Sequence, residues 1–201
     1  TLCPFPVSSS ILLYGRHPLP SFCFYGGEKE FELIRQNMAV NSTAEVYKGD
    51  DGKLVTIGNP TEAALLLWLD KAGIDYMPLR ENVKVVSRLT FSTERKYMAT
   101  VVESQLGKKV LYVKGAPEIV LANCNRVEIA GGDFAKVDAQ RPMVEAKLLE
   151  YQNMAMRTLG FAYQILDDDA DIAPYADGRL SGTRRGCPLR AVLHCRPDSR
   201  S

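Results

Sequence analysis

The stretch KKVLYVKGAPEIVL, residues 108–121, places a lysine and a glycine directly after a strand-like run. Lys114 and Gly115 follow the letters VLYV, and a helix pattern begins at Pro117, since proline is tolerated in a first helical turn. A cation beside a residue without a side chain suits a flat anionic ligand, because a ring can approach the glycine backbone closely. The pattern therefore indicates a ligand contact at this junction.

A second segment, LTFSTERKYMA, combines an aromatic residue with cations. Phe91 ends a predicted strand, and Arg95 and Lys96 follow within five residues. This pairing suits a nucleotide, since a base stacked on an aromatic ring gains ~1–3 kcal/mol. Each residue also has a structural interpretation, because Phe91 could be a core residue and ERK a solvated turn.

Two further polar residues have both a functional and a structural interpretation. Glu62 in GNPTEAALL could contact a ligand, or it could complete a capping box with Asn59. Arg157 in MAMRTLGFAY lies where a helix pattern changes to a strand pattern, so it could bind a phosphate or form a surface ion pair. Taken singly, both residues favour the structural alternative.

Several common chemistries are excluded by the sequence. It contains neither GxxxxGK[ST] nor GxGxxG, and its APE triplet lacks the HRD and DFG motifs of protein kinases. The five cysteines form no CxxC pair, so no disulfide framework or zinc site is indicated, and Cys124 is predicted to be a reduced, buried thiol. His17 and His194 are the two histidines, which argues against a histidine triad or a multi-histidine metal site. We therefore expect no catalytic residues and no metal site.

Composition limits the partners of the chain. The formal net charge is +1, which gives no argument for binding nucleic acid, and the hydrophobic fraction of 46% is ordinary for a globular protein. No apolar run of about 18 residues is present, so no membrane insertion of this segment is expected. The start of the chain lacks the basic residues of a signal peptide, so none is expected.

Changes in composition divide the chain into three zones. Residues 1–24 are rich in Pro, Ser and Cys and are predicted to be irregular. Residues 25–178 carry clear helix and strand patterns and are predicted to form the domain. Residues 179–201 are arginine-rich and are predicted to be an irregular basic tail, either a disordered arm or the product of a truncated or misread reading frame.

The order of patterns in the central zone predicts the fold class. Helices are predicted over residues 28–43, 58–73, 117–124 and 142–157, and strands over residues 83–91, 96–104, 108–114 and 158–166. Asn59 and Pro60 suit the start of the second helix and Gly73 its end. A GGD turn at 131–133 and an acidic connector at 167–178 complete the pattern. Hairpin-linked strands between helices favour an α+β fold with a twisted antiparallel sheet.

Four motifs together resemble a known family. GNPTEAAL, FSTERKYMATVV, YVKGAPEIVLANC and MRTLGFAY occur in the order, and at roughly the spacing, of the nucleotide-binding (N) domain of P-type cation-transporting ATPases. The resemblance covers residues ~25–166 and is strongest to the calcium-transporting branch. The preceding segment, MAVNSTAEV, resembles the helix that precedes these motifs in bacterial calcium pumps. The family fold, an antiparallel sheet flanked by helices, agrees with the predicted class.

The resemblance implies a role for each candidate residue. Phe91 matches the aromatic residue that stacks on the adenine of ATP, Lys114 and Gly115 match the pocket wall, and Lys96 matches a further pocket lysine. Glu62 matches a glutamate near the adenine amino group, and Arg157 an arginine that binds the phosphates.

Two positions depart from the family pattern. Thr93 stands where some members carry an arginine, which puts affinity in doubt, and Asn59 stands where aspartate is commoner.

The implied function is to bind ATP, with Mg²⁺ as its counter-ion, and to present it to a phosphorylatable aspartate on another domain. The DKTGT motif of that aspartate is absent, so the chain is expected to be a fragment that is not catalytic alone. Its expected partners are the phosphorylation and transmembrane domains of a pump, and its expected location is the cytoplasmic face of a bacterial inner membrane, as a soluble segment. The alternative is a non-catalytic protein-interaction module that retains the fold without binding nucleotide. An independent hydrolase has little support.

Overall fold

The computed structural model describes residues 11–14, 22–23, 28–104, 108–124, 126–128, 134–154, 156–167 and 190–197. The helices are α1 Glu28–Val40, α2 Pro60–Lys71, α3 Tyr76–Glu81, α4 Pro117–Ala122 and α5 Val137–Asn153. The strands are β1 Ile11–Tyr14, β2 Phe22–Cys23, β3 Glu45–Lys48, β4 Leu54–Ile57, β5 Val83–Leu89, β6 Tyr97–Ser104, β7 Lys109–Gly115, β8 Arg126–Glu128, β9 Phe134–Lys136, β10 Met156–Leu166 and β11 Arg190–Pro197.

The main sheet is largely antiparallel. Its strand order is β2-β1-β11-β10-β7-β6-β5, and β8 pairs with both β11 and β9. The contacts of β11 with β1 and with β8 are parallel, and the remaining pairs are antiparallel. Strands β3 and β4 form a separate hairpin. The predicted α+β class, an antiparallel sheet flanked by helices, is confirmed.

The sheet buries both of its faces, because alternate side chains of a strand point to opposite sides. One face packs against α4 and α5, and its core includes Ala99, Val101, Leu111, Val113 and Leu121. The other face packs against α1, α2 and α3, and its core includes Met38, Leu66, Val102, Tyr112 and Phe161. The helices thus form two layers around a central sheet.

The start and end of α2 follow local sequence chemistry, as predicted. The Asn59 side chain caps the helix by accepting a hydrogen bond from the Thr61 amide at 2.9 Å, and Pro60 occupies the first turn. Gly73, with a φ of 74°, follows the end of the helix, where a left-handed residue favours glycine. These contacts fix the first turn of α2, which carries Glu62.

The end of α1 is stabilised by tertiary contacts that no local pattern shows. Arg80 donates from Nε to the Ala39 carbonyl at 2.8 Å, and Arg88 donates from Nη2 to the Val40 carbonyl at 3.0 Å. The last carbonyls of a helix lack partners within it, so these guanidinium groups satisfy them. The helix ends at Val40, three residues before the predicted boundary.

Helix α5 differs from its prediction at both ends. It begins at Val137, five residues before the predicted start, and Pro142 lies inside it. It ends at Asn153, and residues predicted as its last turn belong to β10. Pairing of β10 with β11 overrides the helical pattern there, since sheet hydrogen bonds satisfy that backbone.

Several further elements were not predicted. These are α3, the β3–β4 hairpin, and strands β8 and β9. Strands β1, β2 and β11 lie in the terminal zones expected to be irregular, which corrects that expectation, although the domain boundaries themselves stay predictions. The predicted GGD turn, and the acidic connector after Asp167, lie outside the described residues.

The state of Cys124 and the character of the helices can be compared with the sequence predictions. Cys124 is a free, buried thiol whose Sγ lies 3.1 Å from the Val120 carbonyl oxygen, as predicted, and burial raises its pKa to about 12. Among the helices described, none has the length and apolar character to cross a membrane.

Candidate functional site

A cavity of about 560 Å³ opens at one end of the sheet, where the start of α2, the β5–β6 loop and the end of β7 meet. Glu62 comes from α2, Phe91 and Lys96 from the loop, and Lys114 and Gly115 from β7. The fold therefore brings five of the six predicted site residues to one cavity, from positions up to 53 residues apart in sequence. Their roles toward a ligand stay predictions.

Phe91 lies at the surface of this cavity. Phe91 is the second residue after the end of β5, and its side chain is 49% exposed. The interpretation of Phe91 as a core residue is therefore wrong. Arg95 closes the loop, because its Nη2 donates to the Thr90 carbonyl at 2.9 Å and its amide donates to Ser92 Oγ at 3.2 Å. The loop presents an open aromatic face in a defined backbone conformation.

Lys114 is a buried cation in the wall of the cavity. Its side chain is 4% exposed, and among the described residues Nζ has no hydrogen-bond partner. Burial lowers its pKa to about 8; Glu62 opposes that shift, and Arg80 and Arg88 add to it. A buried amine without a partner costs free energy, so an acceptor from a ligand would offset that cost.

Glu62 is buried near Lys114 but has protein partners. Its Oε2 accepts hydrogen bonds from the Thr43 amide at 2.5 Å, from Ser42 Oγ at 3.0 Å and from Thr43 Oγ1 at 3.2 Å. Burial raises its pKa, but the charge of Lys114 and these hydrogen bonds outweigh burial, so the pKa is lowered overall. The capping-box interpretation is wrong, because the carboxylate accepts from Ser42 and Thr43, which follow α1, rather than from the Asn59 amide.

Gly115 has a packing requirement that the sequence did not show. A Cβ at this position would lie 2.4 Å from the Lys96 carbonyl oxygen and 2.5 Å from Tyr97 Cβ. The space on that side of the glycine is therefore filled by the neighbouring strand, not by the cavity. The missing side chain is required by packing within the protein, whatever ligand approaches from the other side.

Arg157 is the sixth predicted residue, and its side chain lies outside the described part of the structure. Its backbone belongs to β10, opposite Arg196 of β11. The two residues that follow it, Thr158 and Leu159, line the cavity. Its predicted phosphate contact stays a prediction.

The cavity has lining residues that sequence reasoning missed. Leu65, Met98 and Leu159 give it an apolar part, and Thr61, Gln152 and Thr158 add neutral polar groups. Met98 could have been found, because it pairs with Lys114 across β6 and β7. No local signal identifies Gln152, which reaches the cavity from the last turn of α5.

The side chains that line the cavity suit the binding of a ligand. Among the described residues, no group of three His, Cys, Asp or Glu side chains could hold a metal ion. The cavity instead combines an exposed ring, apolar side chains, two lysines and one carboxylate. These groups match a flat heterocycle with an anionic tail, and any divalent cation would have to be held mainly by the ligand itself.

The fold is an α+β domain with a cavity that is surrounded by side chains rather than by a glycine-rich loop. Comparison with known proteins agrees, because the family model described as "P-type ATPase, cytoplasmic domain N" matches residues 30–182. The chain belongs to this family, as the motifs predicted.

The relatives are much longer proteins. The chain is 33% identical over 132 residues to the calcium-transporting ATPase PAT1 of Dictyostelium discoideum, covering 66% of this chain and 12% of that protein. It is 32% identical over 155 residues to calcium-transporting ATPase 1 of Lactococcus lactis, covering 74% of this chain and 17% of that protein. A calcium-transporting ATPase of Bacillus subtilis is 32% identical over 114 residues. The chain thus spans less than a fifth of these relatives, and assignment to a bacterial branch stays a prediction.

Proposed function

We propose that this domain binds ATP in the cavity and presents its γ-phosphate to an aspartate on another domain of a P-type calcium pump. The observation that carries the proposal is the pairing, in one cavity, of the exposed Phe91 ring with the buried, unpartnered Nζ of Lys114. An exposed aromatic ring and a desolvated cation both cost free energy in the empty domain, and an aromatic anion would relieve both costs.

The residues that line the cavity support one orientation of ATP, with its base at Phe91 and its phosphates near the cations. Phe91 offers a stacking surface, and Leu65, Met98 and Leu159 offer apolar contacts for the edge and second face of a purine. The hydrogen bonds that described residues donate to Glu62 all go to Oε2, so Oε1 can accept from an exocyclic amino group. The exposed Lys96 would then lie near the phosphates, and Arg157 is predicted to bind them.

Magnesium enters this proposal with the nucleotide. The cavity residues include a single carboxylate, and that carboxylate is already hydrogen-bonded. A hexacoordinate cation needs several oxygen ligands, which ATP phosphates and water provide. The domain therefore binds the Mg²⁺–ATP complex through its organic part and its phosphate charge.

Transfer of the phosphate requires groups on partner domains. The reacting aspartate would belong to a phosphorylation domain and the ion path to transmembrane helices of the same pump, at the cytoplasmic face of a membrane, which the MAVNSTAEV segment suggests is the inner membrane of a bacterium. Phosphoryl transfer depends mainly on positioning and charge stabilisation, so a domain that only holds ATP can contribute through orientation.

Titration of the purified chain with Mg²⁺–ATP, followed by two-dimensional NMR, tests the proposal. We expect a dissociation constant in roughly the micromolar to millimolar range, because one stacking surface and few cations provide limited free energy. Phe91→Ala should weaken binding about tenfold or more. The matched control is Tyr47→Ala, since Tyr47 is 48% exposed on the β3–β4 hairpin and does not line the cavity.

Two outcomes would contradict the proposal. Shifts that cluster away from Phe91, Lys114 and Glu62 would place the ligand elsewhere. An absence of any saturable response, together with capture of a protein partner through the basic residues 179–201, would favour the protein-interaction module instead.

A further inference from the structure

We infer that Gly115 is a positioning residue, which holds the Phe91–Lys96 loop against the end of β7 and thereby sets the place of Lys96 at the cavity. The inference rests on the proposed function for its effect on nucleotide affinity, but its structural part is independent of any ligand. It assigns to Gly115 a role in shaping the binding site rather than in touching the ligand.

The space beside Gly115 is the first support. A Cβ there would lie 2.4 Å from the Lys96 carbonyl oxygen, 2.5 Å from Tyr97 Cβ and 2.6 Å from Tyr97 Cα. All three atoms are backbone or directly attached to it, so they cannot move aside by a rotamer change. Gly115 is not among the residues with positive φ, so its backbone alone would accept alanine. The requirement for glycine is the close approach of β6.

The conformation of Lys96 is the second support. Lys96 has a φ of 59°, the one non-glycine residue with positive φ in the described part of the chain. Such a conformation costs free energy and persists where surrounding contacts enforce it. Its amide donates to the Ser92 carbonyl at 2.8 Å, and its own carbonyl accepts from the Ala116 amide at 2.8 Å.

These contacts connect two parts of the cavity. The Lys96 carbonyl oxygen accepts a hydrogen bond from the Ala116 amide and occupies the space that a side chain at Gly115 would need. We call this contact of Lys96 with Gly115 and Ala116 the joint, because it connects the loop to the end of β7. Lys114 immediately precedes the joint, and Phe91 and Lys96 lie at the two ends of the loop. Displacing the joint would move Lys96 away from Lys114 without removing either cation.

Amide hydrogen exchange of the ligand-free chain tests the structural part. In Gly115→Ala, the amides of Lys96 and Ala116 should exchange about tenfold faster or more, because both belong to the joint. Gly73→Ala is the matched control, since Gly73 has a φ of 74° and no atom within 4 Å of its Cβ position, so alanine is strained there but far from the joint. Unchanged exchange at Lys96 and Ala116 would overturn the inference.

A second variant covers the case in which Gly115→Ala fails to fold. Ala116→Pro removes the amide that donates to Lys96 O, and the φ of −57° and ψ of 127° at Ala116 suit proline, which already follows at position 117. The Lys96 amide should again exchange about tenfold faster. If this amide stays protected in the folded variant, the joint does not hold Lys96 and the inference fails.

ATP titration in two backgrounds tests the functional part. Gly115→Ala should weaken ATP binding about tenfold in the wild-type background and about threefold or less in Lys96→Asn, because asparagine keeps the left-handed conformation but lacks the cation. An equal loss in both backgrounds would mean that Gly115 contacts the ligand directly. If the wild-type chain binds no ATP while the exchange results hold, the proposed function fails and the positioning role stands.

Discussion

The two faces of the sheet differ in what they bury. The face under α4 and α5 is almost wholly apolar, with Gln164 as its buried polar exception among the described residues. The face under α1 and α2 buries several polar residues, which are Asn37, Asn41, Ser42, Glu62, Thr100 and Lys114. Both faces use the same strands, so the difference comes from single positions in an alternating pattern.

Most of the polar residues on the second face satisfy one another. Asn41 Nδ2 donates to Asn37 Oδ1 at 3.1 Å, Thr100 Oγ1 donates to Asn41 Oδ1 at 2.8 Å, and Asn37 Nδ2 reaches the Val113 carbonyl at 3.1 Å. Lys114 is the exception, and it lies where this face opens into the cavity. One face of the sheet therefore stabilises the domain, whereas the other face also positions a polar site.

Truncation of the apolar face should give the largest effect on stability. Leu121→Ala removes a 1% exposed side chain and should lower the free energy of unfolding by ~2–5 kcal/mol, because it leaves a cavity in the core. Urea denaturation measures this loss, and Leu149→Ala, at 58% exposure, is the control. The ATP dissociation constant of the folded variant should stay unchanged; a large change would show that the two faces are not separate in function.

Neutralising the buried carboxylate should have the next largest effect. Glu62→Gln should lower the free energy of unfolding by about 2 kcal/mol at neutral pH, because three hydrogen bonds to a charged oxygen are weakened. The folded state lowers the pKa of Glu62 below its ordinary 4.5, so this stability is present above that pH and is lost as pH falls through the folded pKa.

Denaturation at several pH values checks this sign. The difference between wild type and Glu62→Gln should shrink below pH 4.5. Glu118→Gln, an exposed position in the first turn of α4 on the other face, should change little. A constant difference across pH would show that the charge of Glu62 is not what stabilises this region.

The buried lysine should produce two opposite pH dependences. Folding lowers the pKa of Lys114 from 10.5 to about 8, so the unfolded chain binds more protons between these values and stability gained from this group rises with pH. Relative to Lys114→Met, wild type should gain about 1 kcal/mol between roughly pH 7 and pH 9.

ATP affinity should change in the other direction. It should fall about fivefold over the same pH range in wild type, because the cation is lost, and stay nearly constant in Lys114→Met. Calorimetric titration at both pH values measures this. If ATP affinity had the same pH dependence in both proteins, Lys114 would not contribute to ATP binding.

The helix cap at the cavity should give the smallest effect. Asn59→Asp keeps a capping oxygen and adds a negative charge near the start of α2, which should stabilise the domain by ~0.3–1 kcal/mol. ATP affinity should fall no more than about threefold, since the added charge is exposed to solvent. Thermal unfolding at low salt measures the gain, which added salt should reduce. Destabilisation would show that the Asn59 amide group has a contact beyond the cap.

Much of the fold could be predicted where local chemistry is strong. The start and end of α2, the β6–β7 hairpin and strand β5, which ends two residues before Phe91, follow from capping residues, turn residues and period-two alternation. The β3–β4 hairpin and α3 could not be predicted in this way, because their short elements depend on packing against α2 and on Tyr76, whose hydroxyl pairs with both backbone groups of Val46.

The sequence predicted residues that the fold brings to one cavity, but it did not predict their burial or their contacts. Glu62 and Phe91 each had a structural alternative that the sequence favoured, and both alternatives are wrong, because the contacts of Ser42, Thr43 and Arg95 are tertiary or depend on loop geometry. Nothing in the sequence indicated the packing requirement at Gly115, since only the neighbouring strand shows which atoms a side chain there would meet.

The sequence by itself determined the family and the segments that carry its motifs, because ordered motifs and element periodicity are properties of the chain alone. The tertiary structure determines the rest: which side chains are buried, which lysine has no hydrogen-bond partner among the described residues, and which glycine lies against a neighbouring carbonyl. Burial, desolvation and close packing depend on residues distant in sequence, so the charge state of Lys114 and the placement of Lys96 exist only once the sheet and α2 have come together.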